Sequence, residues 1–174
     1  MDSTNSVGGA GSLSAIMNQI DLGPSSSIQL MFAKLQLAQS AIAKAGAEQY
    51  MTQIQEIQDE QKAVAEMISK ARDLQNEAKN ADSELSTMPD DMIKFFNDRG
   101  LKFDKTGDLK THNKEEWDYN IKSLTDYQQT ISNDTQTLMV YLQDFMGQYN
   151  SYLQGANSAI SQATQTLTTL ATGR

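Results

Sequence analysis

Between Trp117 and Leu170 the chain returns to one side of a helix at steps of four and three residues without a slip. The positions are Trp117, Ile121, Leu124, Gln128, Ile131, Thr135, Leu138, Leu142, Phe145, Tyr149, Tyr152, Ala156, Ala159, Ala163, Thr166 and Leu170, and all but Gln128, Thr135 and Thr166 are apolar. An alternating four–three step is the mark of a coiled-coil seam, because it keeps a narrow apolar stripe facing a partner helix. Such a helix is roughly 80–90 Å long at 1.5 Å per residue. Asn113 followed by Glu116 supplies a capping-box start.

A second helical pattern precedes it. Ser25, Ser26 and Ser27 after Pro24 offer hydroxyls for a helix start, and no Pro interrupts the run from Ile28 to about Asp82. Met31, Leu35, Ala38, Ile42 and Ala45 form its stripe. The pattern slips by one residue near Gly46 and resumes at Tyr50, Ile54, Ile57, Gln61, Val64, Ile68, Ala71 and Ala78. The expected fold is therefore all-α, with two long antiparallel helices making a coiled-coil hairpin. Its parts are a tail over 1–24, a first long helix over 25–83, a short helix and exposed loop over 84–113, and the C-terminal helix over 114–174.

The middle segment opens with Pro89-Asp90-Asp91, a helix first turn with acids at the positive end of the dipole. Gly100 stops the short helix that follows. Lys105-Thr106-Gly107-Asp108, between Leu101/Phe103 and Leu109, permits a small hairpin, but an exposed loop over 101–113 is the expectation.

Charge separates function classes. The chain carries 14 basic and 22 acidic residues, a net charge of −8, with no basic stripe to hold a phosphate backbone. No nucleic-acid partner is expected. There is no cysteine, so disulfides and thiolate metal sites are excluded. His112 is the single histidine and is read as a surface residue of the loop. Asp90 and Asp91 are read as serving the helix dipole. Asp104, Lys105, Gly107 and Asp108 lack the spacing and terminal Glu of an EF-hand. Neither a catalytic constellation nor a phosphate-cradling loop is present, so the expectation is a non-enzyme without cofactor, metal or small-molecule substrate.

From Phe145 to Gly173 no residue is charged. A solvent-facing coiled coil carries Glu and Lys beside its seam. Here those positions hold Gln, Asn, Ser, Thr and Gly, with Met139, Met146, Leu153, Ile160 and Leu167 also beside the seam. One partner helix covers only one side, which points to further protein on another. The expected assembly surface is Met31, Leu35, Ile42, Ile54 and Ile57 on the first helix. On the second it is Leu138, Leu142, Phe145, Tyr149, Tyr152, Leu153, Ile160, Leu167 and Leu170.

The organisation resembles a known family. The chain has a Ser/Asn-rich start, a helix opening Ser27-Ile28-Gln29-Leu30-Met31-Phe32-Ala33, and an uncharged C-terminal coiled coil. The stretch Pro89-Asp90-Asp91-Met92-Ile93-Lys94-Phe95 followed by Asn97-Asp98-Arg99-Gly100 is the most specific part. Together these are similar to the EspA/SseB-type hydrophilic translocator proteins of type III secretion systems. The resemblance implies a secreted subunit that polymerises into an extracellular hollow filament, or a shorter sheath or tip, extending the needle as a conduit for translocated proteins. It implies export without a cleaved signal peptide, with residues 1–24 as the signal. It also implies a small helical chaperone before export, and needle and translocon proteins as partners. The short middle segment departs from the pattern. The competing expectation is an intracellular coiled-coil adaptor or chaperone that forms a discrete dimer.

Overall fold

A computed structural model describes residues 12–22, 27–106 and 110–173. Its elements are α1 (Leu13–Gln19), α2 (Ile28–Asn80), β1 (Ser86–Thr87), α3 (Asp90–Asp98), β2 (Thr111–His112) and α4 (Lys114–Ala171). The all-α fold is as expected: the two long helices pack antiparallel, and the short helix and loop stand between them in the chain. The expected tail is not wholly without structure. Ser12 Oγ accepts a hydrogen bond from Ala15 N–H and starts α1 inside it, while residues 1–11 and 23–26 lie outside the described residues.

The helix starts follow their caps. Ser27 Oγ accepts from Leu30 N–H at 3.2 Å at the start of α2. At α4, Asn113 Oδ1 accepts from Glu116 N–H and Glu116 Oε2 accepts from Asn113 N–H, the reciprocal box that the residue spacing predicts. Pro89 precedes α3, whose first turn holds Asp90 and Asp91. These acids do more than serve the dipole. Asp91 pairs with Lys70 at 2.6 Å and Asp90 with Lys110 at 2.7 Å. The α3 helix stops at Gly100, which takes a left-handed φ of +63° while Leu101 N–H donates to Phe96 O.

The chain divides into two compact units, one of residues 54–137 and one of 1–53 with 138–174. In the 54–137 unit the core is large-residue packing: Val64 and Ile68 of α2, Met92 and Phe96 of α3, Trp117 and Leu124 of α4, with Met88 and Phe103 from the connections. Trp117 Nε1 donates to Ser86 Oγ at 2.8 Å, and Ser86 Oγ donates to Leu74 O. Arg99 forks onto Glu60, lies 3.6 Å over the Phe95 ring, and shares Glu60 with the Tyr127 hydroxyl.

The expected exposed loop over 101–113 is corrected in part: Lys102, Lys105, Thr106 and Lys110 are exposed and residues 107–109 lie outside the described residues, but the ends turn inward. Phe103 is buried against Phe96, and Thr111–His112 pairs antiparallel with Ser86–Thr87. His112, expected at the surface, has no exposed area and stands edge-on to Trp117. The cause is local. Met88 N–H donates to Lys110 O, and this two-residue ladder turns the chain inward just before the α4 cap.

In the other unit the interior is made of small residues. Ala33, Ser40, Ala43 and Ala47 of α2 are buried, as are Ala156, Ala159 and Ala163 of α4. The Phe145 ring lies against Gly46, Gln36 against Gly155, and Tyr50 against both Tyr141 and Phe145 at 5.6 and 5.5 Å between ring centres. The pairs 36 with 155, 46 with 145 and 50 with 141 lie on one antiparallel register.

Candidate assembly surface

The α4 seam is buried or half-buried at each position from Trp117 to Ala163, and exposed at Thr166 and Leu170. The α2 seam differs from the sequence expectation. It does not slip at Gly46. Ala33, Gln36, Ser40, Ala43, Ala47, Tyr50, Ile54, Ile57, Gln61, Val64, Ile68, Ala71, Gln75 and Ala78 are all covered, and their steps alternate three and four throughout. Two polar members bond across the helix pair: Gln61 Nε2 donates to Ser132 Oγ and Thr135 Oγ1, and Gln75 Nε2 to Asp118 Oδ1 at 2.6 Å. Of the expected stripe, Ala38 is fully buried, while Met31, Leu35, Ile42 and Ala45 flank this seam with less cover. Met31, Leu35 and Ile42 give that stripe its phase, whereas a closely approaching partner helix selects Ala, Ser and Gly.

The consequence is a unit whose large apolar side chains are half-covered at best, several of them exposed. Met31 is exposed, and Leu35 and Ile42 are half-buried. Ile54, in the 54–137 unit, is buried, and Ile57 packs half-covered against that unit's core, so these two belong to the fold. On α4, Leu138, Leu142, Phe145, Tyr149, Tyr152, Leu153 and Ile160 are half-buried. Leu167 is 59% exposed and Leu170 74%. The expected assembly surface leaves out Ile28, Phe32, Met51, Val140 and Tyr141, and Met139 and Met146 are expected only beside the seam. All of these are exposed. Among the described residues, the exposed large apolar side chains belong to this unit with the exceptions of Leu85 and Tyr119.

Ile28, Gln29 and Phe32 of α2 and Gly155, Ser158, Ala159 and Gln162 of α4 line an open hollow of about 670 Å³. Ile28 stands 84% exposed on its rim. The absence of Cβ at Gly155 lets Gln36 approach, and Ala159 and Ser158 keep the floor low.

Charge follows the same division. Outside residues 54–137 the charged side chains are Asp2, Asp21, Lys34, Lys44, Glu48, Asp144 and Arg174. The apolar residues of this unit therefore carry little of the charge that keeps a free coiled coil soluble. Among the described residues no helix is long and apolar enough to cross a membrane. Comparison with protein-family models, curated proteins and solved structures finds no match to this chain.

Proposed function

We propose that this chain is a secreted structural subunit that self-assembles into a filament, or a needle-tip extension, of a type III secretion apparatus. The observation that carries the reading is the concentration of exposed large apolar residues on the charge-poor unit, around a small-residue interior. Burying a Leu, Ile, Phe or Met side chain contributes about 1.5–3 kcal/mol, whereas an alanine methyl contributes about 0.8. The unit thus leaves in water the side chains with most to gain from burial. A second copy supplies the matching surface, and a contact that does not close on itself propagates into a polymer. The secretion setting rests on the resemblance of 27–33 and 89–100 to the EspA/SseB-type proteins. The partners it brings are a small helical chaperone before export, then the needle and translocon proteins.

Negative-stain microscopy of the purified chain tests assembly. Regular filaments are expected, and a discrete dimer would favour the adaptor reading. The secretion setting has its own test. Deleting residues 1–24 is expected to abolish export from a type III-competent cell while leaving the circular dichroism of the long helices, with only the short α1 lost. Undiminished export would refute that signal.

A further inference from the structure

The structure assigns a divalent-cation site to Asp104, His112 and Glu116, in the 54–137 unit. One ligand atom from each of these three side chains lies within 4.8 Å of the other two. They come from three places: the loop after α3, β2, and the first turn of α4.

The histidine points to a ligand. His112 has no exposed area, yet neither Nδ1 nor Nε2 has a hydrogen-bond partner in the protein. A buried imidazole left unpaired loses its hydration without compensation, so such a group calls for a partner. Its Nδ1 stands 3.8 Å from Glu116 Oε2, too far for a hydrogen bond. An ion lying between them meets both groups. Asn120 is a second buried group at the cluster. Its Oδ1 accepts from Asp104 N–H at 2.7 Å and fixes that residue, while its Nδ2 is unpartnered.

The carboxylates have capacity to spare. Asp104 Oδ1 accepts from Thr106 N–H and Glu116 Oε2 accepts from Asn113 N–H. Each carboxylate offers about four lone-pair directions, so the turn and the cap leave room for a metal bond. Asp104 and Glu116 are half-buried, which gives an ion a route to the enclosed imidazole.

The donor set selects the cation. One imidazole nitrogen with two carboxylate oxygens suits a first-row ion of the Zn²⁺ class. Ca²⁺ and Mg²⁺ prefer oxygen throughout. Two donors on one Zn²⁺, each at about 2.0–2.2 Å, lie closer together than this cluster does, so binding draws the three side chains inward. The bound ion would tie the 101–106 loop and β2 to the start of α4. Spacing alone does not reveal the set: His112 and Glu116 are four residues apart in the chain, but Asp104 joins them only in the fold.

The test uses tag-free full-length protein. Because His112 is the sole histidine and cysteine is absent, no other imidazole or thiolate competes. Calorimetric titration with Zn²⁺ at pH 7 is expected to give one saturable site per chain and a concentration-dependent rise in melting temperature. Ca²⁺ is expected to give neither. Glu116→Gln keeps the capping acceptor and Asp104→Asn keeps the turn acceptor. Each is expected to weaken Zn²⁺ at least tenfold while melting like the parent in EDTA. Imidazole ¹⁵N chemical shifts supply a second readout, with one His112 nitrogen moving on Zn²⁺ addition. Absence of a one-to-one site overturns the proposal. So does equal affinity in the Asp104→Asn/Glu116→Gln double variant, or a doubly protonated His112 that Zn²⁺ leaves unchanged.

Discussion

The Phe145 ring occupies the space a side chain at position 46 would need: a Cβ on Gly46 would stand 2.5 Å from Phe145 Cε1. A glycine inside a long helix costs about 1 kcal/mol relative to alanine, so this position gives up helix propensity for close packing.

A three-glycine series measures the exchange. Gly46→Ala gains the propensity but overpacks against an aromatic ring, which costs about 1–3 kcal/mol, so a net loss is expected. Gly155→Ala meets the amide end of Gln36 at 2.9 Å, a flexible group that swings aside, so little change is expected. Gly147→Ala points into open space and should gain up to about 1 kcal/mol. Thermal melts by circular dichroism on an assembly-blocked background should rank Gly147→Ala first and Gly46→Ala last.

Trp117 supplies the second prediction. Its buried Nε1–H, on α4, has as partner Ser86 Oγ of β1, the strand that the two-residue ladder pairs with β2. Ser86→Ala leaves that donor unsatisfied, at a cost of about 1–3 kcal/mol. Because Trp117 is the only tryptophan, its fluorescence reports the event directly. A lower denaturant midpoint with an altered emission maximum is expected. An unchanged midpoint would show that the hydroxyl is dispensable.

What was legible in the sequence was what large apolar residues encode. The α4 seam could be followed from Trp117 to Ala163 because Trp, Ile, Leu, Phe and Tyr mark its phase. The first half of α2 misled for the same reason. Met31, Leu35 and Ile42 outweigh Ala33, Ser40 and Ala43 on any scale of hydrophobicity, yet the smaller set faces the partner helix. The α4 start was legible because Asn113 and Glu116 are a local pair. The Ser86–Thr87 with Thr111–His112 ladder was not, since two-residue strands have no period to detect, and the burial of His112 followed that omission. On the assembly surface, the half-covered state of Leu153 and Ile160 and the open state of Ile28 and Phe32 depend on how the helices are turned, which residue type does not specify.

Acid should weaken the 54–137 unit through Glu60. The hydrogen bond from Arg99 holds the Glu60 carboxyl below its ordinary value of 4.5, with Tyr127 adding to this and partial burial opposing it. A depressed carboxylate pKa contributes stability that is complete above the unfolded-state value and is lost as pH falls through the folded one. The melting temperature should therefore fall below about pH 4.5, and Glu60→Gln should flatten that slope while lowering stability near pH 7. Parallel pH profiles for the two proteins would show that another group governs the acid limb.

Leu167 is the sharper probe of assembly than Leu153 or Ile160, because its exposure lets a charge be added without disturbing the packed pair. In the free chain an aspartate at 167 stays in water. In a packed neighbour contact the same carboxylate is buried unpaired, which costs several kcal/mol at each repeat. Sedimentation velocity over a wide concentration range, on the parent and on Leu167→Asp, is the most direct measurement. The account predicts that the parent grows in size with concentration while Leu167→Asp remains a helical monomer. A parent that sediments as one fixed species at every concentration, or a Leu167→Asp variant that assembles as the parent does, would contradict it.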